Sequence, residues 1–204
     1  MSLAETYDRI AEFWHADHQT DDWWQEGTDR FISFLPQGAS VLDVGCGSGV
    51  KSKYLRAREL AAVGIDISEN LLAIARRESP DGDFRKLSML ELEQVPETFD
   101  GVFAQASLLH IAKADAPTAV RKMAGRAKPG GFVYVAVKEA RPDQPEERIE
   151  KESDYGFEYE RFFSYFSMEE LKRYFSDAGL ETVFEDRKSS PSGKTVWLQI
   201  IGKK

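Results

Sequence analysis

The stretch VLDVGCGSG, residues 41–49, constrains this chain more than any other. Val41, Leu42 and Val44 read as a buried parallel strand, and Gly45, Gly47 and Gly49 open the turn that follows. Glycine at alternate positions lets the backbone bend sharply and brings bare amide groups against a ligand. The helix after the turn points its positive end at the same place. About twenty residues further on, VGID closes with Asp66, where a carboxylate can grip ribose hydroxyls. Together the two features predict a nucleoside-bearing cofactor.

Two rival nucleotide motifs fit poorly. A dinucleotide fingerprint, G-x-G-x-x-G, needs its third glycine where Val50 stands, whereas the glycines here run G-x-G-x-G. In a P-loop reading of PSGKT (191–195) the leading glycine falls at Lys188, and no helical pattern follows. That segment reads as a hairpin turn.

Composition narrows the setting. A chain of 204 residues fits one domain with a sizeable core. The net charge of -8 argues against a polyanion-binding face, so no nucleic-acid partner is expected. Cys46 is the only cysteine, which rules out an intrachain disulfide and suits a reducing, cytoplasmic location. No secretory leader is read at the start, and no stretch approaches the roughly 18 apolar residues of a membrane span, so no membrane partner is expected.

From Val41 to about Val137, short apolar runs alternate with amphipathic helical patterns, the mark of a parallel sheet covered by helices. Strands are predicted at VLDV, AAVGID, 84–87, FDGVFAQA and FVYVAVK. Ser68 and Ser167 are N-caps for the helices that follow them. Two strand-like runs, 180–185 and 195–201, close the chain as an antiparallel edge. Residues 1–36 form a helical cap with Tyr7, Ile10, Phe13 and Trp14 at helical spacing. Residues 140–166, rich in Pro, Glu and aromatics, break the rhythm and read as a lid over a substrate site.

With these stretches in order (VLDVGCGSG, VGIDIS, FDGVFAQASLLHI and KPGGFVYVAVK), the sequence resembles the class I S-adenosylmethionine-dependent methyltransferases of the small stand-alone bacterial type. The resemblance implies a Rossmann-like α/β fold over residues 1–204, with a seven-stranded sheet of order 3-2-1-4-5-7-6, its last strand antiparallel. It also implies S-adenosyl-L-methionine as cofactor and S-adenosyl-L-homocysteine as product. On this basis Gly45, Cys46 and Gly47 lie against the methionine end, and Asp43 helps hold the amino-acid moiety, directly or through water. Asp66 takes the ribose hydroxyls and Ile67 packs on the adenine. Ser88, where the family usually has an acid, and Met89 and Leu90 face the ring. Gln105 lies beside the sulfonium, and Tyr7 closes over the methionine carboxylate.

The methyl acceptor is expected to be a small molecule, and the protein a monomer or homodimer. His110 is the candidate base, at the sheet end where ligands bind in open α/β folds. Metal-dependent members place acids after the fourth strand, and FAQAS offers Gln105 instead, so no metal is expected. Trp14, Trp24, His110, Tyr155, Phe157 and Arg161 are the candidate substrate contacts, the aromatics as pocket walls and Arg161 as partner for a carboxylate or a nearby Glu. A protein or RNA methyltransferase is the alternative, disfavoured by the acidic insertion and by AQAS where amide-methylating members carry NPPY. A non-catalytic cofactor-binding module is a further alternative.

Overall fold

The computed structural model describes residues 1–190 and 193–204. The hairpin turn read at PSGKT (191–195) therefore lies partly outside the described residues, at 191 and 192. In chain order the elements begin with α1 (Leu3–His18), α2 (Gln25–Ile32), β1 (Ser40–Val44) and α3 (Val50–Arg56). They continue with β2 (Ala61–Asp66), α4 (Glu69–Glu78), β3 (Asp83–Lys86) and β4 (Phe99–Gln105). After these come α5 (Ala116–Arg126), β5 (Ala127–Lys138), β6 (Glu147–Glu152) and β7 (Tyr159–Ser164). The chain closes with α6 (Met168–Asp177), β8 (Glu181–Ser189) and β9 (Val196–Lys203).

Among the described residues, seven strands form one sheet in the order β3-β2-β1-β4-β5-β9-β8. Neighbours from β3 to β5 run parallel, while β9 is antiparallel to both β5 and β8. This is the expected Rossmann-like order, with β9 and β8 as its seventh and sixth strands. Side chains alternate across each strand, and the alternation builds two cores. Leu42, Val44, Val102, Val133 and Val135 face α5 and α6, whereas Val41, Phe103 and Tyr134 face Phe31 of α2 and Leu55 of α3. No helix among the described residues is long and apolar enough to cross a membrane.

The cap helix α1 starts with a capping box between Ser2 and Glu5. It buries Tyr7, Ile10 and Ala11 against Leu71 and Ile74 of α4. Asp8 fixes the register: it accepts from Ser68 Oγ at 2.6 Å and from the Asn70 N–H at 3.0 Å, at the start of α4. The 140–166 segment differs from the irregular connection expected, because β6 and β7 pair as an antiparallel hairpin. Glu, Lys and Arg occupy most positions of β6, and strand propensity reads poorly in charged, half-buried runs.

Candidate active site

The glycine turn forms as the sequence requires. Gly45, Gly47 and Gly49 have φ of 77°, 55° and 80°, values that favour glycine. A Cβ at Gly45 would stand 2.3 Å from that of Ser107, so the loop is pressed against the end of β4. The Gly45 and Cys46 amides donate to the Ile65 carbonyl at 2.8 and 2.9 Å, tying the loop to β2.

Under α1, at the C-terminal ends of β1, β2 and β4, these elements enclose a cavity of roughly 820 Å³, its open mouth included. Of the predicted cofactor residues, Tyr7, Gly45, Cys46, Gly47, Asp66, Ile67, Ser88, Met89 and Gln105 line it. Asp66 accepts from the Gly47 N–H and the Ser68 N–H, both at 2.9 Å, and burial raises its pKa despite these bonds. The carboxylate is thus held in place at the end of β2, where the sequence put it. Gln105 accepts through Oε1 from the Tyr134 hydroxyl at 2.7 Å, leaving its NH₂ as the donor it can offer the cavity. The Cys46 thiol is pushed up by burial and by Asp43 and Asp66, the condition of an inert packed thiol.

Two cofactor candidates fall outside the lining. Asp43 shares the Val41 face of β1 through the two-residue period, which puts it under α3. There it accepts from Ser52 Oγ at 2.6 Å and is almost fully buried, with its pKa raised by burial to about 6. A direct contact to a ligand in the cavity is not what its placement offers. Leu90 packs beside the main core instead, and its amide caps onto Ser88 Oγ at 3.2 Å.

The substrate candidates divide as well. Trp14 and His110 line the cavity. Trp14 packs over Gly47, edge-on to Tyr7 at 6.3 Å, and stacks on His18 at 4.6 Å. Trp24, Tyr155 and Phe157 lie elsewhere. Trp24 is buried against Tyr54, and Tyr155 and Phe157 pack on Phe13, holding the β6–β7 hairpin to α1. Arg161 is occupied by Glu152, with Nε–Oε2 and Nη2–Oε1 at 2.6 and 2.5 Å, so the pairing with a nearby Glu holds. His15 ties α1 to the loop through Ser48 Oγ at 2.9 Å.

His110 ends a 3-10 turn, Leu108–His110, directly after β4. Its Nδ1 donates to the Phe162 carbonyl at 2.8 Å, which makes Nε2 the lone-pair side. The Tyr7 hydroxyl lies 2.9 Å from Nε2 and donates to it, while accepting from Arg161 Nη1 at 3.3 Å. Burial drives the His110 pKa down to about 3, so the ring is neutral. Sequence reasoning missed several lining residues, among them Lys51, Ala106 and Ser107. Ser107 donates to the Val44 carbonyl at 2.6 Å, and Ala106 adopts φ of 58°, unusual for a residue with a Cβ.

The comparisons with known proteins agree with this geometry. The methyltransferase domain family matches over residues 16–185, and the chain belongs to that family. Its fold is that of the class I S-adenosylmethionine-dependent methyltransferases. A ubiquinone biosynthesis O-methyltransferase of Dechloromonas aromatica is 37% identical over 120 residues, covering 56% of this chain and 50% of that protein. The chain thus spans about half the length of the curated relatives it matches. The 1,6-didemethyltoxoflavin-N1-methyltransferase of Burkholderia thailandensis was solved with bound 1,6-didemethyltoxoflavin and S-adenosylhomocysteine. It superposes with a TM-score of 0.78 at 18% identity, over 99% of this chain and 87% of that one. The CcbJ methyltransferase of Streptomyces caelestis gives a TM-score of 0.78 at 15% identity, over 99% and 98%.

Proposed function

We propose that this chain transfers the methyl group of S-adenosylmethionine to a small-molecule acceptor bound beside Tyr7 and His110. The observation that carries the reading is that one cavity holds the glycine loop, the Asp66 carboxylate and the Tyr7–His110 pair. The donor set fits the cofactor. Asp66 suits two ribose hydroxyls; Ile67, Leu87 and Met89 give an apolar wall for a flat ring; Ser88 adds a hydroxyl beside it. When bound, S-adenosylmethionine supplies a methyl group already activated on a sulfonium.

The protein's own task is to orient the acceptor and exclude water, for which positioning alone can supply about 7–11 kcal/mol. Tyr7 and Trp14 cover the cavity from α1, and Gln105 offers its NH₂ to an acceptor atom. His110 provides a fixed lone pair that takes the acceptor's proton through the Tyr7 hydroxyl. Phenolic, enolic or heteroaromatic N–H acceptors, which give up a proton readily, and amines that attack with a free pair ask least of this relay. The names of the relatives are in keeping with such acceptors. The single buried cysteine fits action in the cytoplasm.

The test is a product screen with methyl-labelled S-adenosylmethionine across phenols, heteroaromatic amines, thiols, carboxylates and aliphatic alcohols. Label in a phenolic or heteroaromatic product is expected. Label confined to protein or RNA would overturn the small-molecule assignment.

A further inference from the structure

Lys51 sits in the first turn of α3, two residues after the glycine loop, and lines the same cavity as Cys46, Gly47 and Trp14. Among the described residues no hydrogen bond or ion pair reaches its ammonium, which lies over the Trp24 ring at 5.4 Å from its centre. Several other sheltered cations of this chain do find partners, although the buried Arg56 Nη1 does not. Lys113 pairs with Glu146 and Glu170 at 2.6 and 2.8 Å, Arg161 pairs with Glu152, and Lys138 rests on the Phe163 ring at 3.8 Å. The carboxylate best placed to neutralise Lys51 is Asp43, but Asp43 is turned to Ser52 and makes no ion pair with it. Burial lowers the Lys51 pKa, as expected for an ammonium short of a counter-ion. A charge left in this state at the wall of a cavity is a receptor for an anion.

We propose that Lys51 receives the α-carboxylate of the cofactor's methionine end. The inference rests on the cofactor assignment above and adds the residue that recognises this charge. The position follows from the loop. Asp66, Ile67, Met89, Gly45, Gly47 and Lys51 line one cavity, so a cofactor whose ribose met Asp66 would bring its amino-acid end past the glycine loop within reach of Lys51. The arrangement makes the carboxylate, and not the sulfonium or the adenosine, the group that Lys51 discriminates.

The experiment compares the full chain with Lys51→Met and Lys51→Arg, titrated with S-adenosylmethionine and with its decarboxylated analogue, which keeps the adenosine and the sulfonium. Hydrogen bonds to charged groups contribute enough that Lys51→Met should bind S-adenosylmethionine about 10- to 100-fold more weakly. Its affinity for the decarboxylated analogue should match that of the unaltered protein, and Lys51→Arg should recover most of the loss. Equal weakening of both ligands would overturn the proposal, because Lys51 would then support the loop as a whole. Unchanged binding of both, with a raised KM for the acceptor, would also overturn it and assign the lysine to the acceptor. Failure of the unaltered protein to bind either ligand would instead sink the cofactor assignment.

Discussion

Replacing Asp43 with Asn isolates the energetic cost of an acid buried beneath the glycine loop and α3. Asp43 is almost fully buried on β1, and Ser52 Oγ is its hydrogen-bond donor at 2.6 Å. Burial raises its pKa from an ordinary 3.8 to about 6. The folded protein therefore binds a proton here that the unfolded chain has lost, so stability falls as pH rises from about 4 through 6. The whole window is worth about 3 kcal/mol, at roughly 1.4 kcal/mol per pH unit, and about 2 kcal/mol of it develops between pH 4.5 and 8. Asn keeps the shape and can accept from Ser52, but it carries no charge. The variant should thus gain on the parent as pH rises, with the gap in melting temperature widening by about 4–8 °C between pH 4.5 and 8 for a chain of this size. Thermal unfolding followed by circular dichroism across that range measures the gap. A gap that is constant with pH, or that shrinks toward pH 8, would refute a buried acid titrating near 6.

Two further outcomes follow from close contacts. A Cβ on Gly27 of α2 would stand 2.0 Å from Gln199 Oε1 and 2.8 Å from the Tyr134 hydroxyl, both buried. The clash should outweigh the ~1 kcal/mol that Ala gains over Gly in a helix and leave Gly27→Ala about 1–2 kcal/mol less stable by chemical denaturation; a variant as stable as the parent would contradict the packing. Tyr7→Phe removes the hydroxyl between His110 and Arg161, so steady-state kinetics with an active acceptor should show kcat falling on the order of 10²-fold with little change in cofactor affinity. An unaltered kcat would exclude Tyr7 from proton transfer.

The glycine loop and Asp66 were legible because their chemistry is carried by backbone and spacing: three positive φ angles, and a carboxylate at the end of the next strand. The alternating strand and helix patterns made a parallel sheet with an antiparallel edge legible, while its order came from the family resemblance. Asp43, given its role by the family resemblance, stands two residues before Gly45, and strand alternation with Val41 turns it under α3, a parity that the sequence did contain and that leaves the water-mediated form of the expected contact. Aromatic side chains carry no such sign. Trp14 covers the cavity while Trp24, Tyr155 and Phe157 pack elsewhere, and only the tertiary arrangement of α1 with the hairpin separates them. Lys51 was missed because a lysine on a short helix reads by default as surface. Its significance lies in the lack of an ion pair among the described residues, which no sequence pattern displays. The β6–β7 pair was hidden by its own charges, with Arg148, Glu150, Lys151 and Glu152 in six residues.

The most direct test of the central claim is a calorimetric titration of the purified chain with S-adenosylmethionine, repeated on Asp66→Asn. The substitution removes the charge that the ribose hydroxyls meet and sets an NH₂ or a neutral oxygen against the Gly47 N–H. The unaltered protein should bind one equivalent, and the variant should bind about 10- to 100-fold more weakly, as loss of charge-assisted hydrogen bonds implies. Absence of binding to the unaltered protein at millimolar cofactor, or equal affinity for the two proteins, would contradict the account.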